Sequence, residues 1–491
     1  MYKETKEPFS RDIIENEERI KKRLGFGTSF DVGVRKLKIL DHEVQIYFVN
    51  GLCDDKYIID LIRELLNLHG RVGKTSSLNT RQTIENHLVN VQVETTDDMN
   101  KAITEMLSGL VFILVDGENE AFVVDVRSYP GRGPEEPDTE RVVRGARDGY
   151  TENIILNTAL TRRRIRDERL RHEIIKVGER SKTDICIAYI EGIADPDLVE
   201  VIKKELDSIH IDGLTMADKI VEEYVVKQRA NPLPLVRYTE RPDVAATHLL
   251  EGHILIMVDT SPSVIIAPTT IFHHVQHAEE YRQAPAIGTF IRWIRFLGIL
   301  FSLLILPFWL LLVMQPTLLP AGLDFIGPEE TTNIPVFLQI LFAEVGIELL
   351  RMAAIHTPSP LATALGLVAA LLIGEIAIQV GYVTPEVILY VALGAIGMFA
   401  TPSYELGVGL RVIRLLLLVV VATFKAPGFI LGLTLFFILL TSIKAFNKPY
   451  LWPFLPFDPP AMWQILIRST VPSVRWRPSI VDPQDPIRQP E

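Results

Sequence analysis

Several groups of side chains in this chain have the types and spacing to do chemistry. The densest lies in RSYPGRGPEEPDTERVVRGARDGYTENIILNTALTRRRIRDE, residues 127–168. A guanidinium fork binds a carboxylate through two parallel hydrogen bonds. Arg144, Arg147, Arg162, Arg163, Arg164 and Arg166 with Asp148 therefore suit an ion-pair network between subdomains or subunits, helped by Glu135, Glu136, Asp138, Glu140 and Glu152. The alternative is an anion or phosphate cradle. Nucleic-acid binding is disfavoured, because the basic run lacks interleaved aromatics and the net charge is −11. A second group is Glu344, Glu348 and Arg351, at i, i+4 and i+7 on one helical face, with Glu375 further on inside another apolar run. Ionisable groups at membrane depth are costly and mark function by default. Asp116 and Asp259 each close a strand ending Val-Asp. A turn aspartate usually bonds nearby backbone; a ligand is the other reading.

Other patterns fail on spacing. His273, His274 and His277 with Glu279 and Glu280 match no zinc signature. Gly70-Arg71-Val72-Gly73-Lys74-Thr75 imitates a phosphate loop, but Leu68 stands where a glycine is required. No Ser/His/Asp set, paired-carboxylate cleft or cofactor fingerprint stands out. We therefore assign no catalytic, cofactor-binding or metal-ligating residue, and the chain does not read as an enzyme.

The elements that position these groups fall into two halves. The 491 residues are enough for two or three domains. Charges crowd into roughly the first 295 positions and apolar runs into the rest. Cys53 and Cys186 fall in buried strands, as small core residues in a reducing compartment. The polar start, MYKETKEPFSRDIIENEERI, has no signal-peptide pattern. The first half is expected to stay in the cytoplasm.

That first half repeats itself. VQIYFVNGLCD at 44–54 matches ICIAYIEGIAD at 185–195, and LSGLVFILVDG at 107–117 matches LEGHILIMVDT at 250–260. Each of the first pair is a β-rich run, then x-Gly, then a helix. Landmarks in matched order and spacing imply a duplication. The expected fold is an α/β cytosolic region of two duplicated subdomains, 33–126 and 150–275. A helical segment, 1–32, precedes them, and a charged Pro/Gly linker, 127–149, separates them. Apolar strands alternating with amphipathic helices imply sheets covered on both faces.

The second half predicts an all-α membrane domain, 276–446, with helices near 296–314, 334–355, 361–380, 386–400, 411–424 and 428–443. Counting lysines and arginines places Arg292/Arg295, Arg351, Arg411/Arg414 and Lys444/Lys448 on one side and Lys425 on the other. Six crossings fit, or five if 334–355 lies at the interface or lines a wet cavity. Ala362, Gly366, Ala370 and Gly374 form a small-residue ridge, and Gly394, Ala395 and Gly397 follow in the next span. Small residues at every fourth position let helices approach closely. The ridge serves tight packing or, with Glu375, a pore wall repeated around an axis. The tail, 447–491, is rich in proline and reads as extended or disordered.

Three tracts resemble one family: the 127–168 run, VGERSKTDICIAYIEGIA at 177–194, and TERPDVAATHLLEGHILIMVD at 239–259. They look like the A-subunit family of spore germinant receptors, the GerA type, and the likeness runs from about residue 30 to 445. ELLRMAAIHTPSPLATALGLVAALLIGEIAIQVGYVTPEVILYVALGAIGMFATPSYELG, 348–407, fits as well. Family receptors usually carry Asp-Gly-x-Pro where this chain has Asp259-Thr260-Ser261-Pro262. They commonly carry Arg-Glu-Ala…Arg-Leu-Pro where it has Arg351-Met352-Ala353…His356-Thr357-Pro358. The departures point to a divergent branch tied to dipicolinate release rather than to direct germinant recognition. The resemblance implies a multi-pass protein of the spore inner membrane and a homo-oligomer, a pentamer by family likeness. It implies other spore membrane subunits of germinant-receptor type as partners, and a cation-conducting role in germination. Ala362, Gly366, Ala370, Gly374 and Glu375 become the pore-lining candidates. A non-conducting scaffold that docks receptors or the dipicolinate channel is the alternative.

Overall fold

In each of two segments, a helix is followed by a pair of long strands, then two helices, a short strand, a third helix and a closing strand pair. The computed structural model describes residues 6–39, 41–71, 80–88, 93–128, 140, 142–228, 230–320, 322–329, 333–356 and 375–489. The first segment has helix Ile13–Leu24, β1 (Val32–Ile39), β2 (His42–Val49), β3 (Val93–Thr96), β4 (Val111–Val115) and β5 (Ala121–Val124). The second has helix Ile154–Arg164, β6 (Leu170–Val177), β7 (Thr183–Ile190), β8 (Arg237–Thr239), β9 (Ile254–Val258) and β10 (Val264–Ala267). The sheet orders, β1-β2-β4-β5-β3 and β6-β7-β9-β10-β8, are the same permutation. The duplication read from the sequence is therefore a duplication of topology. Helix Ile13–Leu24, expected to stand apart in a leading segment, is the counterpart of Ile154–Arg164 and opens the first repeat.

The matched x-Gly motifs have a backbone cause. Gly51 and Gly192, each just after the second long strand of its repeat, both sit at φ 79°, where a side chain is strained. Pairing is antiparallel at β1–β2, β2–β4 and β4–β5, and likewise at β6–β7, β7–β9 and β9–β10. All five residues of β4 and of β9 are buried, as the near-continuous apolar runs require when both faces are covered. One face of the first sheet packs on Ile13, Ile20, Met99 and Met106, the other on Ile58, Leu61 and Leu65.

The structure divides into two compact units. The first takes in residues 1–227, 238–268 and 471–491, and the second residues 228–237 and 269–470. The tail beyond 470 is thus neither free nor disordered. In the first repeat, Ser128 N–H bonds the Leu52 carbonyl at 2.9 Å as the chain passes the Gly51 turn. In the second repeat the chain leaves at Pro268, and the matching acceptor, the Ile193 carbonyl, takes the Gln484 N–H at 3.0 Å. Ile480 and Val481 are buried there, and Arg477 donates to the Leu250 carbonyl at 2.8 Å. The tail supplies the piece that the second repeat lacks. Proline richness suggested disorder because it removes backbone donors. Here the segment forms two short turns, Val471–Ser473 and Ser479–Val481, and Ile480 and Val481 anchor it.

In the second unit, helices Pro285–Met314 and Tyr404–Ser442 are long and apolar enough to cross a membrane. The latter is broken at Lys425, whose φ is 52°. A Cβ on Gly428 would meet Val420, and one on Gly432 would meet Leu417. The two pieces therefore fold back as a hairpin, with exposed Lys425 at its tip. Pro427 opens the return helix, where its missing N–H costs nothing. Helices Val336–His356 and Pro385–Phe399 join them. Leu306, Trp309, Leu310, Ile340, Val391 and Leu417 form the shared core. Gly397 lies so close to Gly298 that an added Cβ would collide with the Gly298 carbonyl. This is the close helix approach expected from small residues. Residues 447–470 also differ from a disordered tail: they carry a short strand pairing, Lys444–Ala445 with Lys448–Pro449, and helix Pro459–Leu466.

Deleting residues 471–491 removes burial of Ile480 and Val481, on the order of 3–6 kcal/mol together. Hydrogen exchange should speed up in 183–190 and 254–258. Exchange in 42–49 and 111–115 should stay unchanged.

Candidate functional site

Two charged clusters are buried, one in each unit. The first joins the two repeats. Asn153 caps helix Ile154–Arg164 by accepting from Ile155 and Leu156, and Asn157 ties back to Thr151 through 2.6 and 2.7 Å bonds. The first repeat does the same with Asn16 and Ser10 at 2.6 and 2.9 Å. The turn aspartates complete these starts. Asp259 accepts the Ile154 N–H at 3.2 Å and Asp116 the Ile13 N–H at 3.4 Å. Each bonds backbone, but at a helix N-terminus across the fold rather than in its own turn, where orphan donors need partners.

That capped helix aims Arg162 inward. Arg162 and Asp31 are each 1 % exposed and His172 is fully buried. Arg162 Nε donates to Asp31 at 3.0 Å, Nη1 to the Asp167 carbonyl at 3.1 Å, and Nη2 to the Leu170 carbonyl at 3.0 Å. His172 Nδ1 lies 2.9 Å from the same Asp31 oxygen. Burial raises the Asp31 carboxyl, but Arg162 and His172 outweigh it and hold it well below the usual carboxylate range. Burial keeps His172 neutral against the pull of Asp31, so its Nδ1–H donates. Phe30, next to Asp31, packs into the core of the second repeat. The turn at Gly51 is filled by this same helix: a Cβ there would lie 3.0 Å from Ala159 Cβ.

The remaining hinge charges scatter. Arg164 pairs with Asp148 at 2.6 Å. Arg144, Arg147, Arg163 and Arg166 are exposed. Glu140 accepts from Thr239 Oγ1 at 2.5 Å, while Glu135, Glu136 and Asp138 lie outside the described residues. The first unit also has an open cleft of about 740 Å³, lined by Phe30, Ile174, Lys176, Glu152, Asp184 and Asp259.

The second cluster lies inside the helical bundle. Glu344 is 1 % exposed and takes both Arg414 bonds, at 2.8 and 2.7 Å, and Arg411 Nε at 3.1 Å. Arg411 also reaches the Glu344 carbonyl and Glu348. Arg414 donates to the Ser302 carbonyl at 2.5 Å, and its Nη1 lies 3.1 Å from where a Cβ on Gly394 would stand. Four helices thus meet at one arginine. Glu348 pairs with Arg351 on its own helix, and the Arg351 guanidinium lies 5.1 Å from the centre of the Tyr404 ring. Glu375, by contrast, is exposed and accepts a 3.4 Å bond from the Gln379 amide on its own helix. Ala362, Gly366, Ala370 and Gly374 lie outside the described residues.

This overturns one step of the topology count. Arg411 and Arg414 are not flanking charges. Their helix starts at Tyr404, and both are buried partway along it. Arg292 and Arg295 are also spent, on buried Glu280. Each pair shares one carboxylate, Glu280 or Glu344, so this charge is held within the bundle rather than displayed at the helix ends.

Sequence reasoning missed Asp31, His172 and Glu280. A signal for Asp31 existed. The β1–β2 and β6–β7 registers make Arg169 its equivalent in the second repeat, and a sign reversal between matched positions marks the joint between unequal copies. Arg411 and Arg414 were visible as an i, i+3 pair complementary to Glu344 and Glu348.

The chain belongs to the family described as Bacillus/Clostridium GerA spore germination protein, which matches residues 18–480. It is 60 % identical over 489 residues to Stage V sporulation protein AF of Bacillus subtilis (strain 168), covering 100 % of this chain and 99 % of that one. It is 31 % identical over 486 residues to Spore germination protein KA of the same organism, covering 98 % and 88 %. Among solved structures, it matches the N-terminal domain of the A subunit of the Bacillus megaterium spore germinant receptor GerK3. That match has 29 % identity and a TM-score of 0.42, over 54 % of this chain and 97 % of that one.

Asp31→Ala leaves the Arg162 charge buried and unpaired, at a cost of about 3–5 kcal/mol. Adding Arg162→Met should return most of it, as read by thermal unfolding of the soluble region within the full chain. In the bundle, Glu344→Gln should lower the unfolding temperature in detergent by removing the counter-charge of two arginines, again about 3–5 kcal/mol. Glu375→Gln, at an exposed position, should stay within about 0.5 kcal/mol of the parent.

Proposed function

We propose that this chain is a channel-forming subunit of the spore inner membrane that conducts or amplifies cation release during germination. It assembles as a homo-oligomer with other germinant-receptor-type subunits, and its α/β region and tail are cytoplasmic. The observation that carries this reading is the contrast between two acids. Glu344 is neutralised inside a filled helical core, whereas Glu375, beside the small-residue ridge, is exposed. With the bundle interior packed by Leu306, Trp309, Leu310 and Leu417, an ion path belongs between copies, not through one. Small residues allow several copies of 361–380 to approach an axis, and a ring of Glu375 side chains favours cations there. Membership of a germination family and two membrane-length helices support the setting.

A scaffold would dock its partners through the charged hinge and the proline-rich tail. Arg162 is spent on Asp31 and the tail on the second repeat, so fewer groups are left for docking receptors.

Ionic current through the purified protein in a planar bilayer is the test. Wild type should conduct, Gly374→Leu should lower the conductance with assembly intact, and Glu375→Gln should reduce preference for cations over anions. Silence from wild type, alone and with partner subunits, would remove the channel reading.

A further inference from the structure

Residues 450–466, YLWPFLPFDPPAMWQIL, are almost wholly apolar. Asp458 is the sole charged residue among them, and it is used locally, capping helix Pro459–Leu466 by accepting the Ala461 N–H at 3.2 Å. Phe454, Leu455, Phe457, Trp463 and Leu466 are between 41 and 65 % exposed. Exposed apolar side chains scattered singly are ordinary, but a contiguous set marks a contact surface.

Both ends of this segment are held rigidly within the second unit. At its start, the Tyr450 carbonyl accepts the Ile271 N–H at 3.0 Å, and Tyr450, Leu451 and Trp452 are buried. At its end, Arg292 donates to the Gln464 and Ile465 carbonyls at 2.7 and 2.8 Å, and Trp293 Nε1 donates to the Leu466 carbonyl at 2.7 Å. Arg468 adds its N–H to Thr289 Oγ1 at 3.1 Å and its guanidinium to the Tyr281 carbonyl at 2.6 Å. Arg292 itself is fixed by Glu280 at 2.7 Å. These bonds satisfy the last carbonyls of the short helix and hold its exposed side outward.

The apolar side chains continue surfaces of the two membrane-length helices. The Phe454 ring lies 6.3 Å from Phe437, edge to face, and Phe437 is itself 46 % exposed near the end of the hairpin's return helix. At the other end, Trp293 is 58 % exposed near the start of Pro285–Met314. One girdle of aromatic and aliphatic side chains therefore runs across the ends of both helices.

We propose that residues 450–466 are an interfacial wedge. They lie in the plane of the bilayer surface, with Phe454, Leu455, Phe457, Trp463 and Leu466 inserted among lipid headgroups and upper acyl chains. Tryptophan and other aromatics prefer that layer because one part is apolar and one polar. A short helix with a polar side tied down and an apolar side free inserts about 5–10 Å into it. The partner is the lipid surface itself, and the wedge fixes the depth of Pro285–Met314 through Arg292 and Trp293.

This inference rests on the bundle crossing a membrane, and one experiment separates the two. Spin labels are placed on the full chain in pure lipid vesicles through Phe457→Cys, Trp463→Cys, Leu435→Cys and Trp476→Cys, one at a time. Native Cys53 and Cys186 are buried, with burial pushing the Cys53 thiol up to about 11 and the Cys186 thiol well above its ordinary value. They stay unlabelled. Label depth is read from collision with oxygen against a water-soluble nickel chelate. The expected result is a shallow insertion at 457 and 463, a deep position at 435 in mid-helix, and an aqueous reading at 476. A deep 435 with aqueous 457 and 463 overturns the wedge alone. An aqueous 435 overturns the membrane reading of the bundle and the wedge with it.

Discussion

Arginine taken out of water is the constraint on which this structure turns. Its charge does not titrate away, so every buried guanidinium must meet a carboxylate and enough carbonyls to fill its fork. In the α/β unit, Arg162 meets Asp31 and two carbonyls. In the bundle, Arg411 and Arg414 share Glu344, and Arg414 reaches a carbonyl on another helix. Apolar packing can slide by a residue at modest cost. These pairs cannot, because a slip leaves a charge stranded. They therefore set which register the repeats adopt against each other and which faces of the bundle helices meet.

Much of the α/β architecture was legible because its backbone demands glycine at fixed places. Gly51 and Gly192 occupy the same left-handed position, so the motif survived in both copies and exposed the duplication. The sheet order was not legible, since strand pairing at a distance leaves no local mark. Helix Ile13–Leu24 escaped assignment to the first repeat for another reason. Its opening Ile13-Ile14-Glu15-Asn16 repeats as Ile154-Ile155-Leu156-Asn157, but past that turn Ile20 and Leu24 give way to Thr161 and Ile165, and the second copy turned Arg162 into the joint. Asp31 and His172 went unseen because only one copy carries that joint. A search for likeness between repeats passes over the positions where they must differ.

In the bundle, the helix expected near 296–314 begins at Pro285 and the one expected near 411–424 begins at Tyr404, while most of 361–380 lies outside the described residues. What hydropathy cannot give is the partner of a charge. Arg411 and Arg414 in a sequence window look like the edge of an apolar run. In three dimensions Glu344 pairs with both and Glu348 with Arg411, and the helix continues through them to Tyr404. The rule that positive charge marks a membrane side holds only for charge that reaches the surface. Glu348 and Arg351 were legible as a pair because i, i+3 neighbours on one helix meet whatever surrounds them.

The chain's path adds a consequence that neither half shows alone. The second repeat is interrupted after Pro268, and the segment that closes it returns only at Val471. The first repeat has all its parts once β5 and the following Ser128 are made. The second waits for the last residues of the chain, since the Ile193 carbonyl finds its donor only in Gln484. The bundle helices lie inside that loop, while residues 228–237 of the same unit lie outside it, so the chain passes between the two units four times. Loops that must close over such a sequence distance carry a large entropic cost and close late. Ile480, Val481 and the ion pair of Arg488 with Glu251 at 3.1 Å are what hold the closure. A change of conformation in the second repeat that loosened this closure would free residues 471–491 from their contacts and leave the chain at Pro268 in place. The first repeat, complete in itself and locked by Asp31 to Arg162, would be left as it was.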